Sequence, residues 1–127
     1  FIEENERVEN EVNALTYGNI DEFLRLVSKS GDSSDKYLQN IYSTKDTANQ
    51  GVSLGLMMSE IFLGDNGVYS NGVCRVHGGG FAGTILAIVK DNAVDEYRRN
   101  MDKIFGDGAS MILQIRHCGG VRIIWKI

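Results

Sequence analysis

Residues 75–90 read Arg-Val-His-Gly-Gly-Gly-Phe-Ala-Gly-Thr-Ile-Leu-Ala-Ile-Val-Lys, RVHGGGFAGTILAIVK in one-letter code. Four glycines occupy the six positions from Gly78 to Gly83, and a nearly all-apolar run from Thr84 to Lys90 follows at once. The apolar run has the composition of a buried strand, and Val73 to His77 supplies a second strand on the other side of the glycines. Glycine at this density lets the chain take positive φ repeatedly and gather successive backbone N–H groups, the geometry of an anion-binding nest. A phosphate is the natural guest, although a glycine-rich hairpin without ligand satisfies the spacing equally well.

Two better-known phosphate motifs are excluded by context. Gly78, Gly80 and Gly83 formally match G-x-G-x-x-G, but a dinucleotide fingerprint opens a helix, and TILAIVK is β-branched and apolar. A Walker A loop ends in Gly-Lys-Ser/Thr, whereas Gly83 is followed by Thr84 and Ile85.

Upstream of the hairpin the period is helical. Phe1, Val8, Val12 and Leu15 share one stripe that Gly18 can close. Asn19 with Glu22 forms a capping-box-like start for a second helix carrying Ile20, Phe23, Leu24 and Val27, with Gly31 as its stop. Ser33 or Ser34 can cap a short third helix with Tyr37, Leu38, Ile41 and Tyr42, and the polar run Ser43 to Gln50 reads as loop. A fourth helix, from Asp46 or Thr47 to Leu63, is apolar nearly all round, as a central buried helix would be. Its small residues Gly51, Gly55 and Ser59 recur every four positions and read as a close-packing stripe.

Downstream, Val94, Tyr97, Met101, Ile104 and Phe105 mark an amphipathic helix that Asp91 or Asn92 can cap and Gly106 can end. Met111 to Arg116 alternates with Met111, Leu113 and Ile115 inward, and Val121, Ile123, Trp125 and Ile127 alternate in a last strand. The expected architecture is α+β: helices packed on a mostly antiparallel four-stranded sheet, with residues 1–127 forming one domain. The helical period begins almost at Phe1, which predicts that the natural chain continues upstream.

Charge narrows the partners. Residues 1–67 hold 5 basic and 12 acidic side chains, and residues 68–127 hold 8 basic and 5 acidic, so the second part is the better neighbour for an anion. Neither part has the dense basic stripe of a nucleic-acid binder. No run approaches the ~18 apolar residues of a membrane span, and the acidic start is unlike a secretory signal, so no membrane partner and a cytoplasmic protein are expected. Cys74, His77, His117 and Cys118 do not read as a zinc site, because each pair places its members on opposite faces of a strand. Two reduced thiols are expected instead.

RVHGGGFAGT, the buried strand, the helix-and-turn EYRRNMDKIFGDGA and the ending ILQIRHCGGVRII together closely resemble the carboxyl-terminal part of the galactokinases. These belong to the GHMP superfamily of small-molecule kinases, with the homoserine, mevalonate and phosphomevalonate kinases. The start Glu4-Asn5-Glu6-Arg7-Val8, the pair Ala14-Leu15, and Gly18-Asn19-Ile20 with Phe23 extend the resemblance over essentially the whole chain. The family usually carries proline where this chain has Lys90 and where it has His117 or Cys118.

The resemblance implies the carboxyl-terminal domain of a two-domain kinase that uses ATP and Mg2+ to phosphorylate galactose to galactose 1-phosphate. The loop Gly78, Gly79, Gly80, Phe81, Ala82 and Gly83 would close the nucleotide and sugar site against the missing amino-terminal kinase domain, with Arg75 as a candidate cation on the phosphate side. The catalytic and sugar-contacting residues would lie in that other domain, leaving these residues inactive alone and able to self-associate through the uncovered surface. Two alternatives remain open: the same domain of a homoserine or mevalonate kinase, and a stand-alone α+β module that binds an anion or small ligand.

Overall fold

A computed structural model describes residues 2–64, 71–81 and 83–115 of the 127. Helix α1 spans Ile2–Thr16, α2 Ile20–Ser33, α3 Gly51–Leu63 and α4 Val94–Phe105. Strands β1, Gly72–Val76, and β2, Ile85–Val89, pair antiparallel with Cys74 opposite Ala87. The fold class is α+β, as expected.

The hairpin is covered on both faces, which is why β2 is apolar at every position. Successive side chains of a strand alternate in direction. Val73 with Ile88 meets Phe23, Leu24 and Val27 of α2 on one face. Cys74, Ile85, Ala87 and Val89 meet Leu63 of α3 and Tyr97 and Met101 of α4 on the other. Ser59 is fully buried in this second layer, where its hydroxyl donates to the Gly55 carbonyl at 2.7 Å and so accepts from the Tyr97 hydroxyl at 2.8 Å. Gly55 and Ser59 therefore do pack, with Gly55 facing the Ile85 side chain, which a Cβ there would meet at 3.6 Å. Gly51, at the exposed start of α3, takes no part.

Several local expectations change in the folded chain. Gly31 does not stop α2, which runs on through Ser33 into a single π-helical turn, Ser34–Leu38. The glycine serves a close approach instead, since a Cβ there would lie 3.0 Å from Arg75 Cβ. The separate third helix is thus a continuation of α2, closed by Gln39 at φ +51. The fourth expected helix starts at Gly51 and not at Asp46 or Thr47. It is buried on one side only, and Leu54, Met57 and Ile61 stand exposed at helical spacing.

Helix α1 turns its other face inward. The row Glu4, Arg7, Glu11 and Ala14 lies toward the protein, and Val8, Val12 and Leu15 are exposed. A polar network accounts for the choice. Ser30 of α2 donates to the Glu4 carboxylate, which also pairs with Arg7, and the Arg75 guanidinium donates to Ser30 Oγ at 2.5 Å. Charge-assisted hydrogen bonds are roughly twice as strong as neutral ones, and this network forms only with the polar row turned inward.

After α4, which begins from a 3-10 turn Asp91–Ala93 with no side-chain cap and ends at Gly106 with φ +100, the chain does not pair with the hairpin over Met111–Ile115. Met111, Leu113 and Ile115, expected inward, are exposed. This segment and Ala109 instead form one wall of a groove of about 610 Å³ whose other walls are β2 and α4. The described sheet is accordingly two-stranded, and the last expected strand, Val121 to Ile127, lies outside the described residues.

The Gly55 contact gives a stability test. A Cβ would sit 3.6 Å from Ile85 Cδ1, an ordinary contact, and alanine raises helix propensity by about 1 kcal/mol over glycine. Gly55→Ala should raise the melting temperature by a few degrees, and Gly55→Val, which overpacks the same spot at a cost of roughly 1–3 kcal/mol, should lower it. Thermal melts of both variants followed by circular dichroism check the pair.

Candidate functional site

The glycine loop caps the hairpin. His77 N–H donates to the Thr84 carbonyl at 3.2 Å, adding one step beyond the strands, and Gly80 N–H returns to the His77 carbonyl at 3.4 Å. Gly78 at φ +61 and Gly79 are the central residues of the resulting turn. A positive φ at the first central position is what hairpin turns of the primed type require, and glycine meets it without strain. Gly80, Phe81 and Gly83 also have positive φ, at +78, +57 and +79. Ala82 lies outside the described residues.

The loop is docked at one end and open at the other. Phe81 N–H donates to the Asn40 carbonyl at 2.9 Å, and Asn40 Nδ2 donates to the Gly79 carbonyl at 3.3 Å. Gly80 lies so close to Asn40 that a Cβ would collide with the Asn40 backbone oxygen. Around Gly78, Gly79 and Gly83, by contrast, a Cβ would meet nothing within 4 Å. No described group accepts the Gly78 or Gly79 amide. Two N–H groups at an exposed turn tip, without an acceptor among the described residues and with no side chain to bar the approach, can donate to an anion that comes up to the backbone directly. Phe81, 64% exposed, stands two positions further along the loop.

Arg75 is engaged elsewhere. Its guanidinium donates to Ser30 Oγ at 2.5 Å and Ser34 Oγ at 3.4 Å, and its Nε to the Val76 carbonyl at 3.2 Å. These bonds turn the head group onto α2, so any contact with a bound phosphate requires it to leave two hydroxyl acceptors. The structure therefore brings Gly78 to Phe81 together and commits Arg75 to joining α1, α2 and β1.

Cys74 and His77 are separated, as their places in a strand predict: Cys74 is half-buried in the α3 layer and His77 is exposed at the loop. His117 and Cys118 lie outside the described residues. Among the described residues no three His, Cys, Asp or Glu side chains are grouped to hold a metal. Burial, with a smaller push from the Glu60 carboxylate, raises the Cys74 thiol to about 12. Burial also raises the Tyr97 hydroxyl, against a lowering by its bond to Ser59.

Asn40 is the residue of the candidate site that sequence reasoning misses. It is only 2% exposed, yet it falls between the apolar positions Leu38 and Ile41 of the expected third helix, where a polar residue reads as solvent-facing. No local signal marks it, because its partners are 39 to 41 positions away.

Two outcomes follow from this geometry. Gly79→Ala should leave the melting temperature nearly unchanged, because Gly79 has open space and no positive φ. Gly80→Ala should destabilise, by roughly 1–2 kcal/mol from φ alone and by more from the collision with Asn40. Denaturant titrations of the two variants compare them. At pH 8, a thiol near 12 is ionised to about one part in ten thousand, so Cys74 should resist iodoacetamide until the chain is unfolded, as read by mass spectrometry. Since the unfolded thiol ionises near 9.0 and the folded one does not, this group's contribution to stability is complete below pH 9 and declines as pH rises toward 12.

Comparison with known proteins agrees in direction with the sequence reading. Two curated proteins named Galactokinase, from Limosilactobacillus reuteri strain DSM 20016 and from Limosilactobacillus reuteri subsp. reuteri strain JCM 1112, are each 29% identical to this chain over 117 residues. The match covers 84% of this chain, which itself spans only about a quarter (24%) of each relative's length. No family model matches the sequence, and no solved structure matches it. The chain is thus distantly similar to part of a galactokinase.

Proposed function

We propose that these residues are the carboxyl-terminal domain of an ATP-dependent sugar kinase of the galactokinase type, and that the loop Gly78–Gly83 closes its nucleotide and sugar site. The observation that carries the reading is the exposed turn tip, where the Gly78 and Gly79 amides have no acceptor among the described residues, on a loop otherwise pinned at Asn40. Phosphoryl transfer is mostly positioning and charge stabilisation. Backbone N–H groups held this way donate to phosphate oxygens and lose no side-chain entropy in doing so.

Most of the chemistry belongs elsewhere in the enzyme. Residues 75–90, the loop and its flanks, contain no carboxylate. On this reading the metal and the catalytic carboxylate belong to the amino-terminal domain. This domain would bind and orient the phosphates with Gly78 and Gly79 and exclude water with the exposed Phe81 ring.

The surface supports a partner domain. Val8, Val12 and Leu15 of α1, and Leu54, Met57 and Ile61 of α3, form exposed apolar rows of a kind that an interdomain contact covers. On the same reading the four-stranded sheet of such a domain would be completed along the groove beside β2, and the protein would work in the cytoplasm.

The full-length polypeptide containing these residues, purified and given ATP, Mg2+ and galactose, should form galactose 1-phosphate. The 127-residue chain alone should give no turnover above a blank. Activity on homoserine or mevalonate in place of galactose would move the substrate within the superfamily. Absence of ATP-dependent transfer to any of these acceptors would leave the anion-binding module as the better reading.

A further inference from the structure

We propose that Asn40 is the positioning residue of the glycine loop, its buried carboxamide setting where the Gly78 and Gly79 amides stand. The consequence for catalysis rests on the reading of the loop as a phosphate contact, whereas the placement of the loop does not. Asn40 is 2% exposed, and its carboxamide lies against Gly80. Its Nδ2 donates to the Gly79 carbonyl at 3.3 Å, which fixes the peptide between the open turn tip and the docked end. Its own carbonyl accepts the Phe81 amide at 2.9 Å. One residue thus holds the loop on both sides of Gly80.

The other half of the carboxamide sharpens the case. Asn40 Oδ1 is fully buried and has no hydrogen-bond partner among the described residues. A buried acceptor left unpaired is destabilising. An apolar side chain of similar volume would avoid that loss, so stability alone does not account for an amide here. The donor on Nδ2 is what distinguishes asparagine from leucine at this position, and its partner among the described residues is the loop.

Loop order and global stability should consequently separate. In Asn40→Leu the volume is kept and the unpaired oxygen removed, and in Asn40→Ala the side chain is truncated. The backbone bond from Phe81 to residue 40 is chemically possible in both. Amide hydrogen exchange of the 127-residue chain, read residue by residue by NMR, is the first arm. The expected result is exchange at Gly80 and Phe81 at least tenfold faster in both variants, with Cys74, Leu86 and Ala87 of the hairpin unchanged in Asn40→Leu. Unchanged loop exchange, or an equal acceleration throughout the hairpin in both variants, would overturn the proposal.

The second arm uses the full-length enzyme. Asn40→Leu should lower kcat at least tenfold while KM for galactose changes less than twofold, because misaligning a phosphate contact by a fraction of an ångström acts on the transfer step. A normal kcat alongside a mobile loop would show that Asn40 positions the loop without consequence for transfer, and would overturn the functional half of the proposal. A full-length wild-type protein with no kinase activity would defeat the kinase reading itself, and the exchange arm would still decide whether Asn40 holds the loop.

Discussion

Covering the β1–β2 hairpin on both faces is the constraint from which the other arrangements follow. A two-stranded ribbon is marginal by itself in water, so it needs α2 on one side and α3 with α4 on the other. The first contact demands a close approach, and Gly31 provides it by presenting bare backbone to the stem of Arg75. With the stem seated there, the guanidinium reaches Ser30 and Ser34. Ser30 in turn holds Glu4, so one glycine in α2 allows a strand residue to organise the contact with α1.

That organisation leaves apolar surface outside. The α1–α2 contact is made largely by a polar row, and the opposite rows of α1 and α3 face solvent. Each exposed side chain alone would be ordinary in a soluble protein, but three apolar side chains at helical spacing make a row on each of two helices, α1 in the α2 layer and α3 in the layer on the other face of the hairpin. The same economy governs the hairpin tip, where the chain is tied at Asn40 and leaves two amides unused. Both features leave contact-making groups on the surface of the described residues.

Glycines illustrate how differently one residue type can be employed. Gly31 and Gly55 sit in helices and admit a neighbour. Gly78 supplies the positive φ of a turn, and Gly80 combines positive φ with a collision-free approach to Asn40. Lys90 is the complementary case. Its N–H donates to the Asn71 carbonyl at 2.8 Å, a bond that a proline at this position could not make.

The amino-acid sequence by itself determined the elements whose signals are local. The period of TILAIVK, the Asn19 cap that accepts from Glu22 N–H, and the Tyr97 and Met101 stripe all depend on residues within a few positions of one another, and each appears where expected within a residue or two. The density of glycine between two strands likewise marked the loop. Tertiary structure alone decided which stripe of α1 turns inward, whether Gly31 ends a helix or admits a strand, and that Met111 to Ile115 runs beside β2 without pairing. It also decided that Asn40 holds the loop and that Arg75 turns to α2. In every such case the deciding partner lies roughly 20 to 45 residues away along the chain, and a pattern read over one or two turns of helix contains no term for a contact at that separation.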